Sequence, residues 1–188
     1  LGRIRNIIGK PDDAFMKVMD RVSQGTARRP RFGMYTGRTP YPGNDDPDKN
    51  KDLGKLISNN YINCSQEVLN ELYEIGRVPS KDLTSFAKNL LAGEQITGEE
   101  DFELFTRREM QNICPDILIT NYSMLEYMLM RPIEQCFWHK TKAWLNGSPD
   151  NKLLLVIDEA HMYRGATGGE VSLLIRRLMD KLEINRDR

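Results

Sequence analysis

Residues 153–157 read Leu-Leu-Leu-Val-Ile, and two carboxylates, Asp158 and Glu159, follow at once. Five apolar residues in a row suit a strand buried on both faces of a parallel sheet. Ligands of open α/β sheets bind beyond the carboxyl ends of such strands. A strand that delivers an acidic pair to that edge meets the needs of phosphoryl transfer. One carboxylate holds Mg²⁺, usually through water, and the next orients and polarises an attacking water. The plainer alternative is a helix start, because carboxylates favour helix N-termini.

The residues that follow support the strand reading. Gly165, Gly168 and Gly169 permit a tight path. Thr167 with Glu170 three later has the pattern of a capping box. Val171, Leu174, Ile175, Leu178 and Leu182 then recur at helical spacing. The expected order is strand, acidic pair, short loop, amphipathic helix. Arg176, Arg177 and Lys181 fall off the apolar stripe, on a solvated face.

Residues 116–126, Asp-Ile-Leu-Ile-Thr-Asn-Tyr-Ser-Met-Leu-Glu, repeat the pattern. A short apolar strand over 117–119 runs into Thr120 and Asn121. Ser123 and Glu126 form a second capping-box pattern, and Met124, Leu125, Met128 and Leu129 supply a helical face that ends at Arg131 and Pro132. Hydroxyl, amide and helix N-terminus are all phosphate donors, although Asn121 and Ser123 serve equally well as helix caps. Earlier, residues 31–43 read Arg-Phe-Gly-Met-Tyr-Thr-Gly-Arg-Thr-Pro-Tyr-Pro-Gly, a strand running into a turn. Thr36, Gly37, Arg38 and Thr39 are candidates for a phosphate-contacting loop there, against the alternative of an exposed turn with an incidental arginine.

Three strand-loop elements in this order resemble the first motor domain of superfamily-two DEAD/DEAH-box helicases. Asp158-Glu159-Ala160-His161 is similar to the DEAH form of the Walker B motif. Residues 117–125 are similar to a helicase element whose Thr-Asn loop touches the sugar-phosphate backbone, and the turn at 36–39 is similar to a glycine-containing loop near the nucleic acid. The longer phrases look most like large bacterial helicases, including those of DISARM-type phage-defence systems. The resemblance implies an α/β fold, a partial RecA-like (P-loop NTPase-type) parallel sheet with flanking helices. It implies ATP and Mg²⁺ as cofactors. Asp158 would hold Mg²⁺, Glu159 would activate water, and His161 would couple the nucleotide site to the strand-contacting loops. Thr36, Gly37, Arg38, Thr39, Thr120 and Asn121 would contact phosphates of DNA, with RNA as the alternative.

No Gly-x-x-x-x-Gly-Lys-Ser/Thr occurs in the 188 residues. Gly9-Lys10 is followed by Pro11, and Gly54-Lys55 by Leu56. Such a loop cradles the β- and γ-phosphates and gives Mg²⁺ a hydroxyl ligand. The expectation is therefore a middle piece of a longer motor, inactive as an ATPase by itself. Its partners would be the remaining polypeptide with a second RecA-like domain, and further subunits. The rival reading is a non-catalytic interaction or regulatory module, with Asp158 and Glu159 serving only as a helix cap.

Lysine plus arginine and aspartate plus glutamate balance at 27 each, so net charge alone does not announce a nucleic-acid binder. Arg28, Arg29, Arg31 and Arg38 cluster near the first strand all the same. Cys64, Cys114 and Cys136 are odd in number and far apart, which suits reduced thiols and a cytoplasmic home. Cys136-x-x-His139 is half a zinc pattern without a second half, and the neighbouring Phe137, Trp138 and Trp144 suit a packed helix. No apolar run reaches membrane-spanning length.

Helices are expected over 2–8, 12–24, 52–59, 65–76, 80–92 and 100–112, and strands over 31–36, 117–120 and 153–158. Roughly 80 residues separate the first two strands, far beyond an ordinary connection. The expected organisation is a core segment over 1–42, a helical insertion over 43–110, and a core segment carrying the DEAH motif over 111–188.

Overall fold

The computed structural model describes residues 1–8, 14–23, 28–40, 46–99 and 101–187. It is α/β, with a small parallel sheet flanked by helices. In chain order the elements are α1 (Gly2–Ile8), α2 (Ala14–Val22), β1 (Phe32–Tyr35), α3 (Pro47–Ile57), α4 (Gln66–Glu74), α5 (Leu83–Leu91), β2 (Glu103–Leu104), α6 (Arg107–Ile113), β3 (Ile117–Thr120), α7 (Tyr122–Met130), α8 (Gln135–Gly147) and α9 (Gly165–Leu182). A π-helical turn, Ser58–Ile62, extends α3, and 3₁₀ turns lie at Pro132–Glu134 and Ala160–Met162. Contacts divide the chain into two compact units, Leu1–Ile119 and Thr120–Arg188.

In the first unit the sheet order is β2-β1-β3. Phe32 lies opposite Glu103 and Gly33 opposite Leu104. The Phe32 amide donates to the Phe102 carbonyl, and the Asp116 and Ile117 amides donate to the Arg31 carbonyl. Phe32, Tyr35, Leu104 and Met110 are fully buried around these strands. A second apolar cluster, Leu53, Ile57, Leu83, Phe86, Ala87 and Leu90, packs α3 against α5. The expected helix over 100–112 is thus partly wrong. Residues 103–104 form a strand of the sheet, and the helix starts only at Arg107. The reason lies outside the local sequence: Arg5 donates to both carboxylate oxygens of Glu103, at 2.7 and 2.5 Å, and the Ser80 amide donates to it as well. These long-range bonds satisfy a glutamate that is only 2% exposed, where helical propensity alone favours helix.

Helix starts follow their capping chemistry. Asp46 accepts from the Asp48 and Lys49 amides ahead of α3, with Pro47 in the first turn. Asp82 accepts from the Thr84 and Ser85 amides ahead of α5. Hydrogen bonds from Ser85 hold the Asp82 carboxyl below the ordinary aspartate range. Thr106 and Glu109 form a full capping box at α6.

The second unit packs α7, α8 and α9 through Met124, Met128, Phe137, Trp138, Leu145, Leu174, Leu178 and Leu182. The Trp138 indole donates to the Met128 carbonyl at 2.7 Å, which satisfies its buried N–H. His139 and Trp144 are exposed. The two expected capping boxes of this unit do not form. Asn121, not Ser123, caps α7, and α9 begins at Gly165, so that Thr167 is already helical. The helices start two and three residues earlier, respectively, than the box patterns imply.

Residues 153–157 carry no strand, contrary to expectation. Leu154 and Val156 are 84% and 78% exposed. A strand needs a neighbouring ladder to satisfy its backbone groups, and from Tyr122 onward the described elements are all helical.

Candidate nucleotide and nucleic-acid residues

In the first unit the turn after β1 is tied together by two threonines. The Thr39 hydroxyl donates to the Met34 carbonyl at 2.5 Å and accepts from the Thr36 amide at 2.9 Å. The Thr39 amide donates to the Thr36 carbonyl, and the Arg38 amide donates to the Thr36 hydroxyl at 3.3 Å. Thr39 is buried at 5% exposure, so its hydroxyl supports the turn from within. Gly37 and Arg38 are exposed at the tip, and Thr36 is half-buried. An added Cβ on Gly37 would meet nothing within 4 Å, so that point of the turn stands clear.

Sequence reasoning missed one residue at this turn. Arg107, the first residue of α6, is 6% exposed. Its Nε and Nη2 both donate to the Thr36 carbonyl, at 3.2 and 2.6 Å. Its backbone amide donates to the Pro40 carbonyl at 3.1 Å. The guanidinium also lies 5.4 Å from the Tyr35 ring centroid. No local pattern flags an arginine 71 residues away from its acceptor.

In the second unit Thr120 is half-buried and Asn121 exposed. The Asn121 side-chain oxygen accepts from the Met124 amide at 2.8 Å, which leaves the amide NH₂ as its outward donor. Asp158, Glu159 and His161 are exposed together on one turn. The Asp158 Oδ1 accepts from the Glu159 amide at 2.9 Å. His161 Nδ1 lies 3.4 Å from a Glu159 carboxylate oxygen. Glu159 adopts a left-handed backbone, φ 51° and ψ 35°, and the Met162 amide donates to its carbonyl at 2.8 Å. A non-glycine residue held there stores conformational strain of the kind found at functional turns. The side chains fit a magnesium-nucleotide role in kind. Mg²⁺ keeps much of its water and takes only one or two protein carboxylates alongside substrate phosphates, and an exposed aspartate beside an exposed glutamate offers that donor set.

The chain is 46% identical to Druantia protein DruE of Escherichia coli (strain UMEA 4076-1), over an alignment of 212 residues that takes in the whole chain and 11% of that relative. It is 31% identical to an uncharacterized ATP-dependent helicase, MJ1574, of Methanocaldococcus jannaschii, over 128 residues that take in 68% of the chain and 15% of that relative. The chain therefore spans only about a ninth and a seventh of these two proteins. The fuller match carries the Druantia name and not that of a DISARM system. No family model and no solved structure matches the chain. Among the described residues no helix is long and apolar enough to cross a membrane. Of the two relatives, the second is named as an ATP-dependent helicase.

Proposed function

We propose that the chain is part of the first motor domain of an ATP-dependent DNA helicase or translocase of the DEAH, superfamily-two type, acting in phage defence in the cytoplasm. The observation that carries the proposal is the likeness to an ATP-dependent helicase in a chain whose apolar run ends in an exposed Asp158-Glu159-Ala160-His161 turn. Asp158 is assigned to hold Mg²⁺ through water, and Mg²⁺ when bound would neutralise charge on the nucleotide phosphates. Glu159 is assigned to orient water and accept its proton. His161, beside the Glu159 carboxylate, is assigned to relay the state of that turn to the strand-contacting loops. Gly37 and Arg38 present backbone and guanidinium donors to a phosphate, with Thr36 at their base and Thr39 as the latch behind them. Thr120 and Asn121 supply a hydroxyl and an amide for the same class of contact.

The experiment is ATP hydrolysis by the full-length protein and its Glu159→Gln variant. The amide keeps the side-chain shape and loses the charge that polarises water, so hydrolysis should fall by at least about a hundredfold while nucleotide binding persists. Asp158→Asn should also stop turnover, chiefly by weakening Mg²⁺. ATPase activity near that of the unaltered protein in Glu159→Gln would remove the catalytic assignment and favour a non-catalytic module.

A further inference from the structure

We propose that Arg107 is a positioning residue for the nucleic-acid loop after β1, and that through it the α3–α5 core sets the shape of that loop. The inference rests on the reading of residues 36–39 as a backbone-contacting loop. Arg107 holds both ends of the turn. Its guanidinium takes the Thr36 carbonyl with two N–H groups, and its backbone amide takes the Pro40 carbonyl. Between those two points lie Gly37 and Arg38, the exposed part of the turn.

The side chain is not needed to start α6, because Thr106 and Glu109 already cap it. Two charge-assisted bonds to one carbonyl instead fix that peptide plane far more firmly than a turn bond alone would. A buried guanidinium without acceptors is costly, so the interaction holds in both directions. α6 is itself anchored. Lys81 Nζ, fully buried, lies 2.5 Å from Asp101 Oδ2 and 2.7 Å from Glu109 Oε1, and 4.2 Å from the centroid of the Phe86 ring. Phe86 belongs to the α3–α5 core. A continuous path thus runs from that core through Lys81 and Glu109 to α6, and through Arg107 to the loop. Arg107 itself is too buried to meet a phosphate, so its effect on binding is through loop shape.

That separation gives the test. Binding of fluorescein-labelled, mixed-sequence single-stranded DNA to the full-length protein is followed by anisotropy across a salt series, for Arg107→Met, Arg107→Lys, Thr39→Val and Arg38→Ala. Arg38→Ala should weaken binding and reduce the salt slope by about 0.7, the loss of one phosphate contact on a single strand. Arg107→Met should weaken binding about tenfold with the slope unchanged, because no phosphate contact is removed, only its geometry. Arg107→Lys, which keeps one donor toward Thr36, should fall between. Thr39→Val removes the internal latch at constant side-chain volume and should give the same signature, which keeps the test open should Arg107→Met fail to fold. Unaltered affinity in Arg107→Met and Thr39→Val, with Arg38→Ala weakened, overturns the inference and leaves the loop reading intact. A salt slope that falls in Arg107→Met as in Arg38→Ala also overturns it. Unaltered affinity in all four variants removes the loop reading itself.

Discussion

Gly33 sits where β1 runs beneath α6, and a side chain there has nowhere to go. An added Cβ would lie 2.4 Å from the Met110 sulfur and 3.1 Å from the Leu104 carbonyl oxygen. The sulfur ends a flexible side chain and can move, while the carbonyl belongs to β2 and cannot move without disturbing the ladder. Gly33→Ala should therefore destabilise the fold by about 1–3 kcal/mol, the usual cost of overpacking a filled interior. Urea unfolding measures it, and an unshifted midpoint would show that Met110 swings aside without cost. The same scale shows why site residues are unevenly legible. Asp158, Glu159 and His161 can be proposed from sequence because the proposal rests on their being close together after an apolar run. Thr39 was named for a hydroxyl that the fold turns inward to Met34 and Thr36. Arg107 could not be named, because its acceptor is 71 residues away.

At the scale of elements, the starts of β1 and β3 are fastened by one ion pair. Arg28 donates to both oxygens of Asp116, at 2.8 and 2.6 Å, and the Arg31 amide donates to Asp116 at 2.8 Å. Burial alone would raise the Asp116 pKa, but the bonds from Arg28 and Arg31 more than offset it, so the carboxyl titrates below its ordinary value of 3.8. A depressed folded pKa means that the contribution to stability is complete above the ordinary value. It is lost as pH falls from there through the folded value. Asp116→Asn should cost stability at neutral pH, modestly, since the Arg28 side chain is 71% exposed. The gap between variant and parent should close below the ordinary aspartate range. Chemical denaturation of both proteins at several pH values checks this, and a gap that widens on acidification would contradict it. Many elements were legible: the helices α1, α2, α4, α5, α7 and α9, with β1 and β3, stand within a few residues of where the sequence pattern put them, while α3 starts at Pro47, five residues before the expected 52, and α8 was marked only by the aromatic residues Phe137, Trp138 and Trp144. β2 was not, because a two-residue strand has no period to read and depends on Arg5 and Ser80. The apolar run at 153–157 reads as a strand by composition, but pairing is a property of the neighbouring ladder and not of the run.

For the whole molecule, the class of fold follows from alternation: short apolar runs separated by helices suit a small parallel sheet flanked by helices, which the runs at 32–35 and 117–120 join and the run at 153–157 does not. Activity depends on groups that must converge on one nucleotide, and here the sequence is informative in a different way. It contains the acidic pair and lacks a glycine-rich loop ending in Lys-Ser or Lys-Thr. The two carboxylates repel the phosphates of ATP unless Mg²⁺ and a cradle of backbone amides neutralise them. Asp158 and Glu159 stand on an exposed turn, where water screens whatever attraction a bound ion could add. A purified chain of residues 1–188 should accordingly bind Mg-ATP very weakly and release no phosphate above the buffer rate. Calorimetric titration and a phosphate-release assay measure the two quantities. Turnover by the isolated chain that disappears in Glu159→Gln would show that residues within 1–188 build a phosphate site of another design.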